Sequence, residues 1–445
     1  MNKTRHIAVV GAGLIGSLLA IYLTRRGYKV SVYERREDPR KHIIDGGRSI
    51  NLALSNRGIR ALEEVGMMNA VHNMAIPMHG RMMHDTTGKL TFQPYGKEGE
   101  YINSISRGGL NIMLLNEAEQ AGVSFNFNYR CTSVNLNNTT LEFSTEHNEH
   151  VSVHVDYIVG ADGAFSSVRG AMQITDRFDY SQYYIEHGYK ELTIPPALGQ
   201  KLERNALHIW PRESFMLIAL PNPDGSFTCT LFFPFEGPLS FQSLNTHEQI
   251  KTFFEETFPD VVPLLPDLLH DFAHNPTSSL VTVKCYPWVK NNTLIIGDAA
   301  HAIVPFYGQG MNAGFEDCRI LNELLEHYHD DWPLAIHEFQ RMRKPDTDAI
   351  AELAIGNFVE MRDLVADEDF LLRKKIEANL HERYPDKWVP LYSMVTFKDD
   401  MPYSQALNMG NRQRAIMDEV MQTPNIHQDW THLDFASIVA RLDQG

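Results

Sequence analysis

Asp298 is the residue whose type and surroundings point most directly to chemistry. It lies in Leu294–Asp317, whose sequence is LIIGDAAHAIVPFYGQGMNAGFED. The apolar run Leu294–Ile296 is typical of a buried parallel strand, and apolar residues at three- and four-residue steps beyond Gly310 predict a helix. Asp298 should therefore follow the carboxyl end of a strand, where open α/β sheets bind ligands. A carboxylate there accepts hydrogen bonds from sugar-alcohol hydroxyls, and free N–H groups at the helix start hold a partly negative ring oxygen, which suits a flavin.

A second glycine-rich turn follows the predicted strand His6–Val10. Gly11, Gly13 and Gly16 form a G-x-G-x-x-G turn that opens a helix, and the next predicted strand, YKVSVYE, ends in Glu34. This order is the dinucleotide-binding fingerprint. In it the first glycine permits the tight turn, the second lets the backbone approach a pyrophosphate, and the third allows close helix–strand packing. The carboxylate of Glu34 would accept hydrogen bonds from the adenosine ribose.

A third turn, Asp162-Gly163, follows the predicted strand Tyr157–Val159. Alone, such a dipeptide usually marks an ordinary turn. Together, the three strand-end turns resemble the signatures of the class A flavin-dependent aromatic hydroxylases, whose fold para-hydroxybenzoate hydroxylase typifies. The resemblance implies FAD as cofactor. It also implies NADPH as a co-substrate without a Rossmann domain of its own, which is consistent with the lack of a second G-x-G-x-x-G.

The composition excludes several other classes of function. The formal net charge is −16, from 40 basic and 56 acidic residues, and no dense basic stripe occurs, which disfavours nucleic acid and anionic membranes as partners. No run of about 18 apolar residues is present, so we predict no transmembrane segment. The four cysteines show no metal-ligand spacing. We therefore expect free thiols, a cytoplasmic protein and no metal.

The predicted fold class is α/β, with a Rossmann-like FAD-binding domain of the para-hydroxybenzoate hydroxylase type, a β-sheet substrate domain and a C-terminal helical region. A Pro/Asn/Asp/Gly turn at 221–225 between apolar runs predicts a central hairpin. The predicted divisions are 1–175 (first part of the FAD-binding domain, with an inserted substrate-contacting hairpin near 76–101), 176–290 (β-rich substrate domain), 291–330 (second part of the FAD-binding domain) and 331–445 (helical region).

Further segments resemble the branch of that family which hydroxylates L-kynurenine. They include GRSINLALSNRG at 47–58, IVPFYGQGMNAGFEDC at 303–318, NFVEMRD at 357–363 and PLYSMVTF at 390–397. Because the matching segments cover the chain nearly end to end, the resemblance is close. It implies conversion of L-kynurenine to 3-hydroxykynurenine with NADPH and O₂ through a flavin C4a-hydroperoxide, as part of tryptophan catabolism.

The same resemblance assigns the residues that bind the substrate. Arg81 matches the arginine that grips the substrate carboxylate, and a guanidinium fork suits a carboxylate bidentately. Tyr95 matches the phenol that shares this carboxylate, and Asn357 and Tyr392 match further contacts. Without the resemblance, Arg81 would be interpreted as a solvated surface residue and the tyrosines as core or rim aromatics.

The resemblance also assigns the flavin contacts. The cofactor-binding set is Gly11, Gly13, Ile15, Gly16, Tyr33, Glu34, Arg35, Arg36, Ala53, Arg107, Asp162, Asp298, Met311 and Asn312. In this set Arg107 approaches the pyrophosphate, while Met311 and Asn312 offer backbone N–H groups near the flavin ring. The pocket wall beside the flavin is expected from Pro305, Phe306, Tyr307, Gly308 and Gln309, and the opposite wall from Met216, Ile218, Leu220 and Phe232.

No catalytic Ser/His/Asp relay is expected, because the aromatic amine of the substrate already activates the neighbouring ring carbon. The protein's tasks are then positioning and a dry pocket. Two alternatives stay open. Arg81 and Tyr95 would serve any carboxylate, so the chain could hydroxylate another aromatic acid, or it could keep the fold as a binding module without turnover. We expect a monomer or homodimer.

Overall fold

The computed structural model describes residues 4–41, 51–97, 99–360 and 368–443. Parts of two segments noted above, GRSI at 47–50 and MRD at 361–363, lie outside the described residues. The strands of the described part are β1 (His6–Val10), β2 (Lys29–Glu34), β3 (Asn51–Leu54), β4 (Ile76–Met78), β5 (Gly80–His84), β6 (Leu90–Pro94), β7 (Ile102–Ser106), β8 (Ser124–Phe127), β9 (Arg130–Asn135), β10 (Thr140–Ser144), β11 (His150–His154), β12 (Tyr157–Gly160), β13 (Asp179–Ile194), β14 (Ala206–Arg212), β15 (Phe215–Pro221), β16 (Phe227–Pro234), β17 (Ser278–Tyr286), β18 (Val289–Lys290) and β19 (Thr293–Ile295).

The helices begin and end in the same chain order. They are α1 (Leu14–Arg25), α2 (Asn56–Glu64), α3 (Met68–His72), α4 (Arg107–Gln120), α5 (Ser167–Gln173), α6 (Pro196–Gly199), α7 (His247–Thr257), α8 (Leu268–His274), α9 (Asp298–His301), α10 (Gly310–His327), α11 (Trp332–Val359), α12 (Glu368–Arg383), α13 (Leu391–Thr396), α14 (Tyr403–Val420), α15 (Ile426–Asp429) and α16 (Phe435–Ala440). Within the described ranges, no helix is both long and apolar enough to cross a membrane.

A six-stranded sheet carries the three turns identified in the sequence. Its strand order is β18-β19-β12-β1-β2-β8, and all neighbours except β18 and β19 run parallel. The inner strands are short apolar runs buried on both faces, as parallel sheets require. Their registers place Val10, Gly160 and Ile295 side by side. Each of the three turns follows one of these strands, so the fold brings all three to one edge.

A seven-stranded mixed sheet, ordered β17-β13-β16-β15-β14-β5-β6, forms the second layer. Strand β15 shows how its two faces differ. Leu217 and Ala219 point into an apolar core that includes α7 and α8, whereas Met216, Ile218 and Leu220 face a large cavity. This period-two alternation is what a sheet between a core and a ligand site requires. The β5–β6 hairpin stands at the end of the sheet and borders the same cavity.

The C-terminal helices close the remaining side. Helix α11 packs against α10 and α14. An apolar cluster joins the seven-stranded sheet, the turn before α10 and these helices, through residues such as Phe232, Phe306, Ile350 and Met394. A third, antiparallel sheet has the strand order β3-β7-β4. Its residues Ala53 and Met78 line the cavity. Three layers therefore enclose one space.

A buried histidine pair on the seven-stranded sheet makes stability depend on pH. The Nδ1 atom of His208 lies 2.9 Å from Nε2 of His84, and its Nε2 lies 2.8 Å from the Glu203 carbonyl. Burial, with repulsion from His84, lowers the pKa of His208 to about 4. Because the unfolded chain binds this proton near pH 6.5, folding stability should fall by about 3 kcal/mol as the pH drops from about 6.5 to about 4. Urea unfolding of the wild-type protein and of His208→Gln across this window checks the prediction; equal pH slopes in the two proteins would contradict it.

Candidate functional site

A single cavity of about 790 Å³ runs between the carboxyl edge of the six-stranded sheet, the seven-stranded sheet and the C-terminal helices. Its volume is near the upper end of the range for small-molecule and cofactor sites. The predicted site residues that line it are Gly11, Gly13, Ile15, Tyr33, Glu34, Arg35, Arg36, Ala53, Arg81, Tyr95, Arg107, Asp162, Asp298, Pro305, Phe306, Tyr307, Gly308, Gln309, Met311 and Tyr392. Three further predicted site residues do not line the cavity: Gly16, Asn312 and Asn357.

The turn between β1 and α1 is built from glycines for three different reasons. Gly11 has a φ of +105°, and a Cβ there would lie 2.4 Å from the carbonyl oxygen of Ala161. A Cβ on Gly16 would lie 2.0 Å from the carbonyl oxygen of Gly11, so only glycine lets α1 approach the turn. Gly13 differs, because a Cβ there would meet no protein atom within 4 Å. Gly13 faces the cavity, and α1 has no side-chain cap, so its first N–H groups are available to an anion.

Glu34 ends β2 and is held by backbone donors. Its Oε2 accepts from the N–H of Ala12 at 3.0 Å, and its Oε1 accepts from the N–H of Arg36 at 3.0 Å. Each carboxylate oxygen keeps a lone pair for a ligand hydroxyl, because it accepts only one of these bonds. The basic side chains of Arg35 and Arg36 line the same end of the cavity. This end suits a sugar and a nearby phosphate.

The two aspartates that follow β12 and β19 have different surroundings. Asp162 accepts from Oγ of Ser166 at 2.5 Å and from the N–H of Ser167 at 2.6 Å, so it caps the start of α5. Asp298 is enclosed by the protein but open to the cavity, and it accepts no hydrogen bond from the described residues. Burial raises the pKa of Asp298, and the positive charge of Arg107 opposes that rise. The carboxylate of Asp298 is therefore available to accept hydrogen bonds from the hydroxyl groups of a ligand in the cavity.

The loop before α10 forms the wall near the centre of the cavity. Gly308 has a left-handed backbone with a φ of +66°, and α10 begins at Gly310 without a side-chain cap. The side chain of Asn312 fixes this loop, donating to the carbonyls of Ala53 and Gly308, both at 2.8 Å. Since Asn312 is fully buried and engaged with protein atoms, its side chain supports the wall instead of lining it. Gly310 and Met311 do line the cavity, at the helix start where N–H groups are free.

Aromatic rings surround Arg81 at the far end of the cavity. The guanidinium carbon of Arg81 lies 5.4 Å from the ring centre of Tyr95 and 4.7 Å from that of Tyr392. The rings of Tyr95 and Tyr392 stack with centroids 5.2 Å apart, and the ring of Tyr307 also stacks with that of Tyr392, at 5.7 Å. These contacts are cation–π and stacking geometries that hold the guanidinium in one place.

Two polar groups at this end lack a hydrogen-bonding or oppositely charged partner among the described residues. Oη of Tyr95 is buried without a hydrogen-bond partner in the described part of the chain, and Arg81 has no carboxylate partner there. Burial raises the pKa of Tyr95 well above its usual value, so the phenol is a neutral donor. A partly buried cation without an anionic partner and a buried donor without an acceptor are both unfavourable. A ligand carboxylate would satisfy both.

Asn357, which was predicted to bind the substrate, forms a hydrogen bond with the loop that lines the cavity. Its Nδ2 donates to the carbonyl oxygen of Phe306 at 2.6 Å, from α11 behind the wall. This bond supports the loop at 305–307, and Asn357 is not among the described residues that line the cavity. Tyr307, in contrast, lies on the cavity side of the loop.

Sequence reasoning missed a lattice of buried charges behind the loop. Glu316 on α10 accepts from Arg57 at 2.6 Å and from Arg343 at 2.7 Å. Asp317 accepts from Arg343 at 2.7 Å and contacts Nε2 of His301 at 2.5 Å. Every member of this lattice is almost fully buried. The charged residues in FEDCR at 315–319 were the sequence signal for these buried ion pairs. A short charged run usually predicts a solvated face, so the signal pointed the other way.

The lining residues fit FAD on structural grounds. The ribose-binding arrangement of Glu34, the open cradle at Gly13 and the free carboxylate of Asp298 follow β2, β1 and β19 in that order along the same cavity. The helix starts of α1 and α10 add N–H groups at two points. A dinucleotide with a sugar-alcohol bridge and a ring system needs this order of partners. The remaining volume ends at Arg81.

Comparison with known proteins gives the same picture. Residues 4–332 match the family model described as an FAD binding domain. A kynurenine 3-monooxygenase of Flavobacterium johnsoniae is 53% identical over 448 residues, which cover all of both chains. One of Dictyostelium discoideum is 45% identical over 439 residues, which cover 95% of this chain and 94% of that protein.

Solved structures of similar fold come from more distant proteins. The tetrameric form of 2-methyl-3-hydroxypyridine-5-carboxylic acid oxygenase has a TM-score of 0.68 and 20% identity, covering 82% of this chain and 94% of its own. PqsL of P. aeruginosa, in complex with 2-aminobenzoylacetate, has a TM-score of 0.66 and 19% identity, covering 81% of this chain and 97% of its own. At such identities the likeness concerns the fold, and it confirms the predicted fold class.

Proposed function

The chain belongs to the kynurenine 3-monooxygenase family, and from this premise we propose that it converts L-kynurenine to 3-hydroxykynurenine with NADPH and O₂. It is an FAD-dependent aromatic monooxygenase. The observation that carries the substrate assignment lies at the end of a cavity that fits FAD. There the guanidinium of Arg81 has no carboxylate partner, and the neighbouring Oη of Tyr95 has no hydrogen-bond partner, among the described residues. Both groups are suited to the α-carboxylate of an amino acid.

FAD would lie along the carboxyl edge of the six-stranded sheet. Glu34 would hold the adenosine ribose, the start of α1 and Arg107 would face the pyrophosphate, and Asp298 would accept from the ribityl chain. When bound there, FAD supplies the redox chemistry by taking electrons from NADPH and delivering an oxygen atom from O₂ to the substrate ring. On this assignment residues 1–175 and 291–330 form the cofactor domain, 176–290 the substrate sheet and 331–445 the helical cover.

The chain's own residues orient the substrate and exclude water. Arg81 and Tyr95 fix the carboxylate end, while the aromatic ring of the substrate lies against the apolar wall that contains Ile218 and Phe232. The loop at 305–309 forms the facing wall, and Asn357 supports it from behind. Because the aromatic amine already activates the adjacent ring carbon, no general base is assigned. Binding, orientation and desolvation are then the protein's contributions.

Tyr307 provides a test of the wall beside the substrate. We expect Tyr307→Phe to raise KM for L-kynurenine about fivefold and to increase the fraction of NADPH consumed without hydroxylation, since one net hydrogen bond is worth about 1 kcal/mol. The stacking on Tyr392 is retained in this variant. Steady-state kinetics with parallel peroxide detection measures both effects. An unchanged KM together with unchanged peroxide formation would remove Tyr307 from the substrate contacts.

A substrate panel distinguishes L-kynurenine from other aromatic acids. We expect L-kynurenine to stimulate NADPH oxidation far more than anthranilate, 4-hydroxybenzoate or the kynurenine analogue that lacks the carboxylate. The analogue should fail because it leaves Arg81 and Tyr95 unpaired. Greater stimulation and hydroxylation of another aromatic acid would assign the chain to that substrate and leave the FAD site intact.

We further propose a cytoplasmic location and a monomeric or homodimeric state. All four cysteines are free and buried, as suits a reducing compartment. Sedimentation of the purified protein distinguishes the monomer and dimer from larger assemblies.

A further inference from the structure

Gln309, in the wall beside the flavin, is bonded by a residue that lies outside the cavity. Oη of Tyr403, the first residue of α14, donates to Oε1 of Gln309 at 2.9 Å. Both side chains are buried, Tyr403 completely. Among the described residues, the other side-chain contacts of Gln309 are to Oγ of Ser55, which lies 3.4 Å from Nε2 and 3.5 Å from Oε1, and both distances are long for a hydrogen bond. Tyr403 therefore makes the stronger of the two side-chain bonds that set the orientation of this amide.

Tyr403 is itself fixed by Arg57. The guanidinium carbon of Arg57 lies 4.0 Å from the ring centre of Tyr403. The same guanidinium donates to Glu316 at 2.6 Å, to the Lys398 carbonyl at 3.1 Å and to the Met401 carbonyl. Arg57 thus ties the segment before α14 to α2 and α10. With its ring held in this way, the hydroxyl of Tyr403 has little freedom except to bond Gln309.

Gln309 lies between two glycines in the loop that precedes α10. It stands between Gly308, whose φ is +66°, and Gly310, the first residue of α10. Two flanking glycines leave this segment few intrinsic conformational restraints. The hydrogen bond from Tyr403 therefore adds a restraint at Gln309 to those that Asn312 and Asn357 place on the carbonyls of Gly308 and Phe306.

We propose that Tyr403 is a positioning residue for the flavin-side loop and acts through Gln309. The inference rests on the proposed function, in that the cavity must hold FAD. It gives the helical cover two tasks, since Tyr392 on α13 reaches the substrate end and Tyr403 on α14 orients the cofactor end. Loss of the hydroxyl lets Gln309 rotate, which weakens cofactor binding and admits water beside the ring.

Tyr403→Phe tests this directly, because it keeps the ring over Arg57 and removes only the hydroxyl. We expect the Kd of the apoprotein for FAD, measured by flavin fluorescence quenching, to rise about fivefold, as the loss of one hydrogen bond predicts. The visible flavin spectrum should shift and the peroxide produced per NADPH should increase, while KM for L-kynurenine stays within about twofold because Arg81 and Tyr95 are untouched.

Tyr28→Phe is the matched control. It also removes a phenol hydroxyl, one that donates to Asp330 at 2.6 Å away from the cavity. This control should lower thermal stability without changing FAD affinity, spectrum or peroxide yield. If Tyr403→Phe behaves like Tyr28→Phe, the positioning role is refuted.

A double-mutant cycle with Gln309→Ala tests the route of action. If Tyr403 acts through Gln309, Tyr403→Phe adds no further loss of FAD affinity in the Gln309→Ala background. Additive losses would overturn the proposal. The FAD measurements need no substrate, so they remain decisive even if the wild-type protein fails to respond to L-kynurenine, an outcome that would count against the proposed function alone.

Discussion

Replacing Arg81 by methionine should lower kcat/KM for L-kynurenine about a thousandfold while FAD remains bound. Removing one partner of a buried hydrogen-bonded charge pair typically costs several kcal/mol, much of it from the charge left unpaired. Among the described residues Arg81 contacts two aromatic rings and no carboxylate, so its removal in the absence of substrate should change the melting temperature only slightly. Steady-state kinetics and thermal unfolding of the same preparation measure the two effects.

Controls for Arg81 separate charge from geometry. Arg81→Lys retains the charge but loses the planar fork, so its kcat/KM should lie between those of the wild type and Arg81→Met. The kynurenine analogue without a carboxylate should react equally slowly with all three proteins. A large loss for this analogue in Arg81→Met would show that Arg81 acts on something other than the carboxylate.

Gly13→Ala should weaken FAD binding about a hundredfold and leave the apoprotein folded. Gly13 has a φ of −74°, which any residue adopts, and a Cβ there meets no protein atom within 4 Å. The added methyl group therefore enters only the space assigned to the pyrophosphate, where overpacking costs about 1–3 kcal/mol. Because alanine is a poorer helix N-cap than glycine, the apoprotein should lose no more than about 1 kcal/mol of stability. Equilibrium FAD titration measures the affinity, and urea unfolding measures the stability of the apoprotein.

Gly170→Ala is the matched control for this change. Gly170 lies in α5, and a Cβ there also meets nothing within 4 Å, but it does not line the cavity. Its FAD affinity should equal that of the wild type. Equal affinities in Gly13→Ala and Gly170→Ala would place the cofactor elsewhere.

The cofactor half of the site could be predicted because its signals are local. Each of the turns at Gly11, Asp162 and Asp298 follows a short apolar strand within a few residues, and strands of that type form parallel sheets whose carboxyl edges bind ligands. The registers of β1, β12 and β19 then bring the turns together. The family and the fold class were confirmed by the comparisons. The individual contacts to FAD stay predictions.

The supporting contacts could not be predicted, because they join residues far apart in the chain and leave no periodic pattern. Arg57 bonds carbonyl groups that lie 338 to 344 residues away. Asn357 was predicted from a resemblance that identifies positions but does not say which atom each side chain reaches. Its bond to the Phe306 carbonyl depends on how α11 packs against the loop. Such packing is decided by tertiary structure, which local sequence does not encode.

The most direct test of the central claim is NADPH oxidation by the purified FAD-bound protein with and without L-kynurenine, with the product identified by mass and by the position of its new hydroxyl. The proposal predicts a large kynurenine-dependent rate and a product heavier by one oxygen atom, hydroxylated beside the aromatic amine. A large rate that yields only hydrogen peroxide would show that kynurenine triggers reduction without being the substrate. No response in a protein that still holds FAD would contradict the kynurenine assignment.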